Sequence, residues 1–383
     1  MLTFTNAFQD KAEYIAIPEL DPKGDVQLSL GPIDKRIQER STGHFTSALV
    51  FINFPGIVNE KTPQVVASEL TAGDKASNWF KKQSFGRMSM EFVTPVAEWR
   101  TMSKQPGEYH SRTSEAHRDL IQEALNLFPE TNFTKYDYVI VVPANQQDFK
   151  MGTACYSEYL DYKDGIQTKH GSINLGVSMG TSHFTPLSYY TLIHELGHCL
   201  SLPDTYDTSI RDLSHRAVAG AWDLMCDVGS GVNFLGFHRQ HLGWIPDDRK
   251  HYMKNETALE AVLTPYSESE GLSMIAIPLN DTENPSKVFV IELALPIREA
   301  GKELHDGQNY GEGILIYSVD ATLGSGRRPL VVYPKSTKYS EVYSYTYEAP
   351  FLVGDSFEHN DAPMKVEVIG KEGKNYKIRI TKK

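Results

Sequence analysis

Basic side chains, cysteines and long apolar runs are all scarce in this sequence of 383 residues. The chain has 38 Lys and Arg residues against 49 Asp and Glu residues, and its formal net charge at pH 7 is −11. This balance argues against the basic patches by which proteins bind nucleic acids. No apolar run approaches the roughly 20 residues that a membrane-spanning helix needs. We therefore expect a soluble protein with neither a nucleic-acid partner nor a membrane span.

Cysteine is too rare for a disulfide scaffold, because the three residues Cys155, Cys199 and Cys226 cannot all pair within one chain. The N-terminus also lacks the basic segment followed by an apolar one that is typical of a signal peptide. These absences leave the cellular compartment open at this point.

The sequence does contain ample material for a hydrophobic core. Hydrophobic residues make up 40% and aromatic residues 11% of the chain, which excludes global disorder. A chain of this length forms one large domain or two unequal ones, and we expect two. Turn signals within residues 1–44 indicate an N-terminal extension packed on the main domain.

Helical and strand patterns alternate after this extension. Continuous apolar runs at residues 48–54 and 138–142 are typical of buried strands, and apolar residues at helical spacing predict a helix over 115–128. The further expected elements are a helix over 77–83 and a strand over 88–95. This alternation predicts an α/β or α+β catalytic domain over residues 45–249.

The pattern changes to short apolar or alternating runs after about residue 250. These runs lie at residues 258–264, 273–278, 287–294, 313–319, 329–333 and 364–381. Because helical periodicity fades there, we expect a β-rich C-terminal domain over residues 250–383, of the sandwich type.

The segment 173–177 resembles a short edge strand just before the most informative helix of the chain. An open strand edge beside a catalytic site can bind an extended peptide by strand addition, although an ordinary short strand is the alternative interpretation. Pro186 at the first helical position, with Thr185 as N-cap, predicts that the helix runs from about Leu187 to Leu200.

This helix carries the sequence His194-Glu195-Leu196-Gly197-His198. Residues four positions apart lie on one helical face, so His194 and His198 can present imidazole nitrogens to one metal ion. Neutral imidazoles suit zinc, and Glu195, about 100° around the helix, is placed to act as general base. The alternative is a helix with two core-facing histidines that bind neighbouring carbonyls.

A tetrahedral zinc site with an open position for water needs a third protein ligand. Pro203 should end the helix, and two carboxylates follow it. Asp204 lies six residues beyond His198, which is the spacing of the H-E-x-x-H-x-x-G-x-x-H/D arrangement. Asp204 is therefore our preferred ligand, with Asp207 as the competitor.

Several segments together resemble the immune-inhibitor-A-like family of secreted metallopeptidases, which are zincins of metzincin type. The resemblance rests on the motif 194–198 followed by Leu202-Pro203-Asp204 and Tyr206-Asp207, on Ala221-Trp222-Asp223-Leu224-Met225 and on Gln240-His241-Leu242-Gly243-Trp244. Similar segments at 84–87, 313–320 and 353–357 extend it over about residues 47 to 380.

The resemblance implies a zincin-type catalytic domain in a secreted zinc endopeptidase that cleaves internal peptide bonds of protein or peptide substrates. It implies that Met225 forms a hydrophobic floor beneath the metal. Cys199 follows a candidate ligand and Cys226 follows Met225, so a Cys199–Cys226 disulfide is one expectation and buried free thiols are the other.

The chain departs from the family pattern at the turn after the motif helix, where the family usually has Gly and this chain has Ser201. A residue with a Cβ atom must adopt a strained left-handed conformation there or form a different turn. No tyrosine follows two residues after Met225, and the candidates for stabilising an oxyanion are Tyr206, His238 and His241. These departures motivate a second hypothesis, a peptide- or surface-binding protein that keeps a peptidase fold without turnover.

A structural calcium ion is a further, weaker hypothesis, because hard oxygen ligands suit that ion. It rests on the acidic residues Asp204, Asp207, Asp212, Asp223 and Asp227, which do not follow an EF-hand spacing.

Overall fold

The computed structural model describes residues 41–109, 114–145, 149, 151, 153–157, 165–180, 188–210, 218–229, 231, 233–279, 287–295, 311–335, 346–360 and 362–383. These residues form several sheets and few helices, in agreement with the expected α+β class. The expected extension over residues 1–44 falls almost wholly outside them. None of the helices within these ranges is both long and apolar enough to cross a membrane.

The α-helices in the described ranges are α1 Pro63–Thr71, α2 Lys75–Gln83, α3 Ser114–Asn126, α4 Ser188–Cys199 and α5 Gly236–His241. The strands are β1 Gly43–Asn53, β2 Met88–Val93, β3 Arg100–Thr101, β4 Tyr138–Pro143, β5 Ala154–Ser157, β6 Ile166–Thr168, β7 Gly171–Ile173, β8 Leu175–Ser178, β9 Lys250–Tyr252, β10 Ala258–Leu263, β11 Met274–Pro278, β12 Lys287–Ala294, β13 Gly313–Asp320, β14 Leu330–Val332, β15 Ser356–Glu358, β16 Met364–Glu372 and β17 Asn375–Lys382. The elements expected between residues 48 and 142 and after residue 250 are all present.

Contacts divide the described chain into two compact units. The N-terminal unit comprises residues 41–204 and 241–244, and the C-terminal unit comprises residues 205–240 and 245–383. The segment 205–240 thus groups with the later β-strands, whereas we had expected it in the catalytic domain. The domain boundaries at residues 45, 249 and 250 stay predictions.

The central sheet of the N-terminal unit has the strand order β2-β1-β4-β8-β5, and β3 continues beside the end of β1. β1, β2, β4 and β8 run parallel, while β5 runs antiparallel to β8. β1 and β4 are apolar on both faces because helices cover both sides of a parallel sheet. The helix α3 packs its apolar residues against alternate side chains of these two strands.

The expectation of an edge strand at residues 173–177 was wrong. β8 pairs with β4 on one side and with β5 on the other, so its backbone groups are already hydrogen-bonded within the sheet. In the described part of this sheet the strand at that end is β5, where the sequence pattern had predicted no strand. A short strand with few apolar residues gives little periodic signal, and this is why it was missed.

Residues 241–244 belong to the N-terminal unit through three long-range hydrogen bonds. The Trp244 indole Nε1 donates to the carbonyl of Ser41, and the Ser41 hydroxyl donates to the carbonyl of Leu242. Arg87 donates from its guanidinium to the carbonyl of Gly243. The segment that carries the Leu-Gly-Trp similarity is therefore fastened to the start of β1.

The C-terminal unit contains two β-sheets that share one core. A four-stranded antiparallel sheet has the order β10-β17-β16-β15, and a five-stranded sheet has the order β14-β13-β12-β11-β9. Side chains of both sheets enter one hydrophobic cluster, for example Ile291 and Ile316 from one sheet with Val366 and Ile378 from the other. In β17 buried and exposed residues alternate, as expected for a strand with one solvated face.

Candidate metal centre

The helix α4 presents the motif residues from a fully buried position. Every residue from Ser188 to Cys199 is buried, including His194, Glu195 and His198. The expected N-cap at Thr185 and Pro186 lies outside the described residues. Packing on all sides gives the motif side chains a rigid mount, because a buried helix has little freedom to rotate or fray.

The chain turns sharply after α4 by a left-handed residue at Ser201. Its φ is +72°, the backbone N–H of Leu202 donates to the carbonyl of Gly197, and the N–H of Ser201 donates to the carbonyl of His198. This pair of bonds is a Schellman motif, in which glycine is the usual left-handed residue. Ser201 adopts this strained conformation, so the turn forms without the glycine that usually occupies this position.

This turn brings Asp204 back to the two histidines. Nε2 of His194 and Nε2 of His198 lie 3.1 Å apart, and Oδ1 of Asp204 lies 3.2 Å from the first and 3.3 Å from the second. The three side chains are all buried. In the described part of the chain these residues form a group whose ligand atoms could hold a metal ion.

The tautomer of His198 is fixed by the same turn. Its Nδ1 lies 2.7 Å from the carbonyl oxygen of Leu202, and because a carbonyl only accepts, Nδ1 must carry the proton. In a neutral His198 the lone pair is then on Nε2 and faces Asp204. A hydrogen bond from the second ring nitrogen to a carbonyl is the usual way in which proteins orient a metal-binding histidine.

The Asp204 carboxyl is ionised in this group. Burial raises its pKa, but the interactions with His198 and His194 outweigh burial and lower the pKa of Asp204 to about 2. An ionised carboxylate and two imidazoles at such short separations need positive charge between them, because their lone pairs otherwise repel one another. A divalent cation or a proton can supply it.

The donor set and its dimensions fit zinc. Tetrahedral zinc with bonds of about 2.0–2.1 Å separates neighbouring ligand atoms by about 3.3–3.4 Å. The three observed separations, 3.1, 3.2 and 3.3 Å, lie close to that spacing. Two nitrogens and one carboxylate oxygen also leave a fourth tetrahedral position for water or substrate.

Asp207, the competing ligand, has other partners. Its Oδ1 accepts hydrogen bonds from the backbone N–H of Ser209 at 3.0 Å and from the Ser209 hydroxyl at 2.5 Å. Its Oδ2 lies 3.8 Å from Nε of Arg328, within the C-terminal unit. Asp207 therefore forms a local turn, and the structure brings Asp204 rather than Asp207 to the histidines.

Asp223 is the centre of a second buried polar cluster, within the C-terminal unit. Its Oδ2 accepts from the Thr205 hydroxyl at 2.8 Å and lies 3.0 Å from Nε2 of His238. Its Oδ1 accepts from the backbone N–H of Met225 at 3.3 Å, and the Met225 carbonyl accepts from the N–H of Thr205. His238, a candidate for oxyanion stabilisation, is thus bound to Asp223.

Other site residues of the sequence analysis remain predictions. Met225 is fully buried, Tyr206 is partly exposed and His241 is buried. Their expected roles, as floor of the site or as oxyanion donors, have no contact among the described residues that assigns them. The aspartates of the calcium hypothesis bind separate partners wherever they are described, and Asp212 lies outside the described residues.

A buried pair that the sequence analysis missed lies elsewhere in the N-terminal unit. Nδ1 of His117, on α3, forms a short hydrogen bond with the hydroxyl of Ser178 at the end of β8, and both residues are buried. Burial lowers the pKa of His117 to about 4. The two residues are 61 positions apart in the chain, so no local motif could have indicated the pair.

The three cysteines are buried free thiols, which was the second of the two expectations. The interaction of the Cys155 thiol with that of Cys199, burial and the negative charges of Glu195 and Asp204 raise the pKa of Cys155 well above its ordinary value. Cys155 is therefore a neighbour of the metal group that sequence spacing gave no means to find.

No family model matches this chain, and no curated protein matches it.

Proposed function

We propose that this protein is a zinc-dependent endopeptidase that hydrolyses internal peptide bonds of proteins. The observation that carries the proposal is the convergence of His194, His198 and Asp204, with donor-atom separations of 3.1–3.3 Å. Glu195 directly follows His194 in the same helix and is also buried. This combination of ligands and adjacent base is what metal-assisted peptide hydrolysis requires.

The three ligands and their neighbours have separable roles. His194, His198 and Asp204 would hold the ion, and the Leu202 carbonyl keeps His198 in the tautomer with Nε2 available. When bound, zinc supplies a Lewis acid that polarises a carbonyl group and lowers the pKa of water toward about 7. The low pKa of Asp204 keeps this ligand in its charged form throughout the physiological range.

Glu195 is assigned the proton transfers. Its carboxylate accepts a proton from the attacking water and returns it to the nitrogen of the departing amine. Its burial, at 4% relative exposure, removes competing solvent from around the carboxylate. A rigid position is needed for this role, because a general base must remain within hydrogen-bond reach of the proton it takes.

The surrounding fold supports the same proposal. A mixed sheet whose last described strand leads into the motif helix is what a zincin-type catalytic domain has, and β5 offers a strand edge in the described part of that sheet. Two sheets that share one core are consistent with a β-sandwich-like C-terminal domain. We propose protein or peptide substrates and secretion on the sequence resemblance alone.

The test distinguishes the contribution of the metal from that of the general base Glu195. Purified protein should contain about one zinc per chain and should cleave casein, and a chelator should abolish cleavage until zinc is restored. Glu195→Gln keeps the size of the side chain but loses the base, so we expect it to retain zinc while kcat falls by at least about 100-fold. Full activity in that variant would contradict the mechanism.

The non-catalytic alternative rests on the strained Ser201 and on the missing tyrosine after Met225. It predicts stoichiometric zinc with no cleavage of any member of a broad peptide library. Cleavage by the wild type that is lost in Glu195→Gln would exclude this alternative.

A further inference from the structure

The chain has an odd number of cysteines, and the structure distinguishes one of them from the other two. Cys226 lies in the C-terminal unit, where burial and the charges of Asp223 and Asp227 raise the pKa of its thiol to about 12. One disulfide within the chain uses two of the three cysteines, so a bond between Cys155 and Cys199 leaves Cys226 reduced.

Cys155 and Cys199 meet inside the N-terminal unit. Cys155 lies on β5 directly opposite Val177 of β8, and Tyr156 lies opposite Gly176. Cys199 is the last residue of α4, and its Sγ lies 3.8 Å from the carbonyl oxygen of the same Gly176. The helix end and the strand thus place both cysteines beside the same two residues of β8, Gly176 and Val177.

We propose that Cys155 and Cys199 are a redox modification site that forms a disulfide under oxidising conditions, while Cys226 remains a free thiol. Two thiols on rigid elements that meet at the same residues of β8 need only side-chain rotations to reach bonding distance. This pair differs from Cys199–Cys226, the disulfide that the sequence analysis weighed against buried free thiols. The inference does not depend on the proposed peptidase activity, because the bond is formed by protein sulfur atoms alone.

The oxidant in this step is a small disulfide such as glutathione disulfide. The thiolate of one cysteine attacks a sulfur of glutathione disulfide, which forms a mixed disulfide and releases one glutathione thiolate. The second protein cysteine loses its proton to solvent, attacks the protein sulfur of the mixed disulfide and releases the second glutathione. Two protein thiols are oxidised and one glutathione disulfide is reduced.

Burial determines when this reaction occurs. Cys155 and Cys199 have relative exposures of 5% and 0%, so glutathione disulfide cannot reach them in the closed fold. The bond therefore forms while the chain folds, or on local opening of β5. Once formed, it joins β5 to the end of α4 directly after His198 and closes a loop between residues 44 positions apart, which restricts the unfolded chain.

The experiment maps the bond by peptide analysis. The full chain is unfolded, refolded in a mixture of reduced and oxidised glutathione with a chelator present, alkylated and digested with trypsin. The sequence places the three cysteines on separate tryptic peptides, 151–163 for Cys155, 170–211 for Cys199 and 217–239 for Cys226. We expect peptides 151–163 and 170–211 to be joined, at a mass about 2 Da below their sum, and peptide 217–239 to be alkylated.

Variants supply the matched controls. Cys226→Ser should form the same cross-link, whereas Cys155→Ser should leave Cys199 alkylated. Reduction of the wild type should lower its Tm by about 5–10 °C, as for a bond that closes a loop of this length, and should leave the Tm of Cys155→Ser unchanged. Refolded wild type with all three cysteines alkylated, or with peptide 217–239 in the cross-link, would overturn the proposal.

Discussion

Two buried histidine–aspartate contacts occur among the residues that the structure describes, and they differ in what surrounds the carboxylate. In the N-terminal unit Oδ1 of Asp204 lies 3.2 and 3.3 Å from two imidazole nitrogens. In the C-terminal unit Asp223 lies 3.0 Å from one imidazole nitrogen and also accepts hydrogen bonds from a hydroxyl and a backbone N–H. Residue types and distances alone are similar in the two places.

The two carboxylates differ in whether the atoms that face them carry protons. Around Asp223 the partners Thr205 and Met225 carry hydrogen atoms, so the carboxylate is satisfied by donors that the fold itself supplies. At Asp204, Nε2 of a neutral His198 directs its lone pair at the carboxylate. The ring proton is on Nδ1, which donates to the carbonyl oxygen of Leu202. A satisfied buried carboxylate stabilises a fold, whereas converging lone pairs are a place for a cation.

The largest expected effect comes from the same substitution made at both carboxylates. Asp204→Asn removes a charged ligand, so zinc affinity should fall by more than about 100-fold in a chelator competition. Asp223→Asn should keep about one zinc per chain with affinity within about threefold of the wild type. It should instead lower the free energy of unfolding by about 1–3 kcal/mol, because a charge-assisted hydrogen-bond network loses its acceptor charge.

Two outcomes would break the comparison between the two contacts. Equal loss of zinc in both variants would mean that the Asp223 cluster takes part in binding the ion. Zinc retained by Asp204→Asn but lost by Asp207→Asn would identify Asp207 as the third ligand.

His117 is a further buried histidine that extends this comparison, because its described partner is the hydroxyl of Ser178 rather than a carboxylate. Its pKa is lowered to about 4 from 6.5. Between these two pH values the imidazole is protonated in the unfolded chain but neutral in the folded protein. Its contribution to stability is complete above pH 6.5 and is lost as the pH falls from 6.5 to 4. By pH 4.5 the free energy of unfolding should have fallen by about 2–3 kcal/mol relative to pH 7.5 from this residue alone.

Urea unfolding of chelator-treated protein at several pH values measures this loss. His117→Gln cannot bind the proton, so its stability should fall less between pH 7.5 and pH 4.5. The difference between the two proteins should shrink on acidification. Parallel pH profiles for wild type and variant would show that His117 titrates alike in the folded and unfolded chains.

The smallest effect is expected at the turn that delivers Asp204. Ser201 has a φ of +72°, and its hydroxyl has no hydrogen-bond partner among the residues that the structure describes. Ser201→Gly should raise the free energy of unfolding by about 1 kcal/mol, because glycine adopts the left-handed conformation without strain from a Cβ atom. Zinc stoichiometry should stay at one per chain, as measured by elemental analysis.

Ser201→Ala is the matched control, since it removes the buried hydroxyl but keeps the Cβ atom. If Ser201→Ala stabilises the protein as much as Ser201→Gly does, the backbone conformation is not the source of the strain. A loss of stability in Ser201→Gly would mean that the serine makes a favourable contact in the turn.

Local patterns in the sequence by themselves determined much of the structure. Helical geometry alone places His194, Glu195 and His198 on adjoining faces, because residues four apart are always neighbours in a helix. Continuous apolar runs likewise gave β1 and β4, and the alternating runs after residue 250 gave the C-terminal strands. Each of these features depends only on residues close together in the sequence.

Only the tertiary structure decided the remaining features, because each depends on where distant segments meet. The interior place of β8 is set by its pairing with β4 and β5, and the contact of Cys155 with Cys199 follows from that pairing. The turn at Ser201 brings Asp204 rather than Asp207 to the two histidines, since a left-handed residue there reverses the chain. Sequence spacing favoured Asp204 with Asp207 as competitor, and the direction of the backbone after α4 decides which carboxylate meets the histidines.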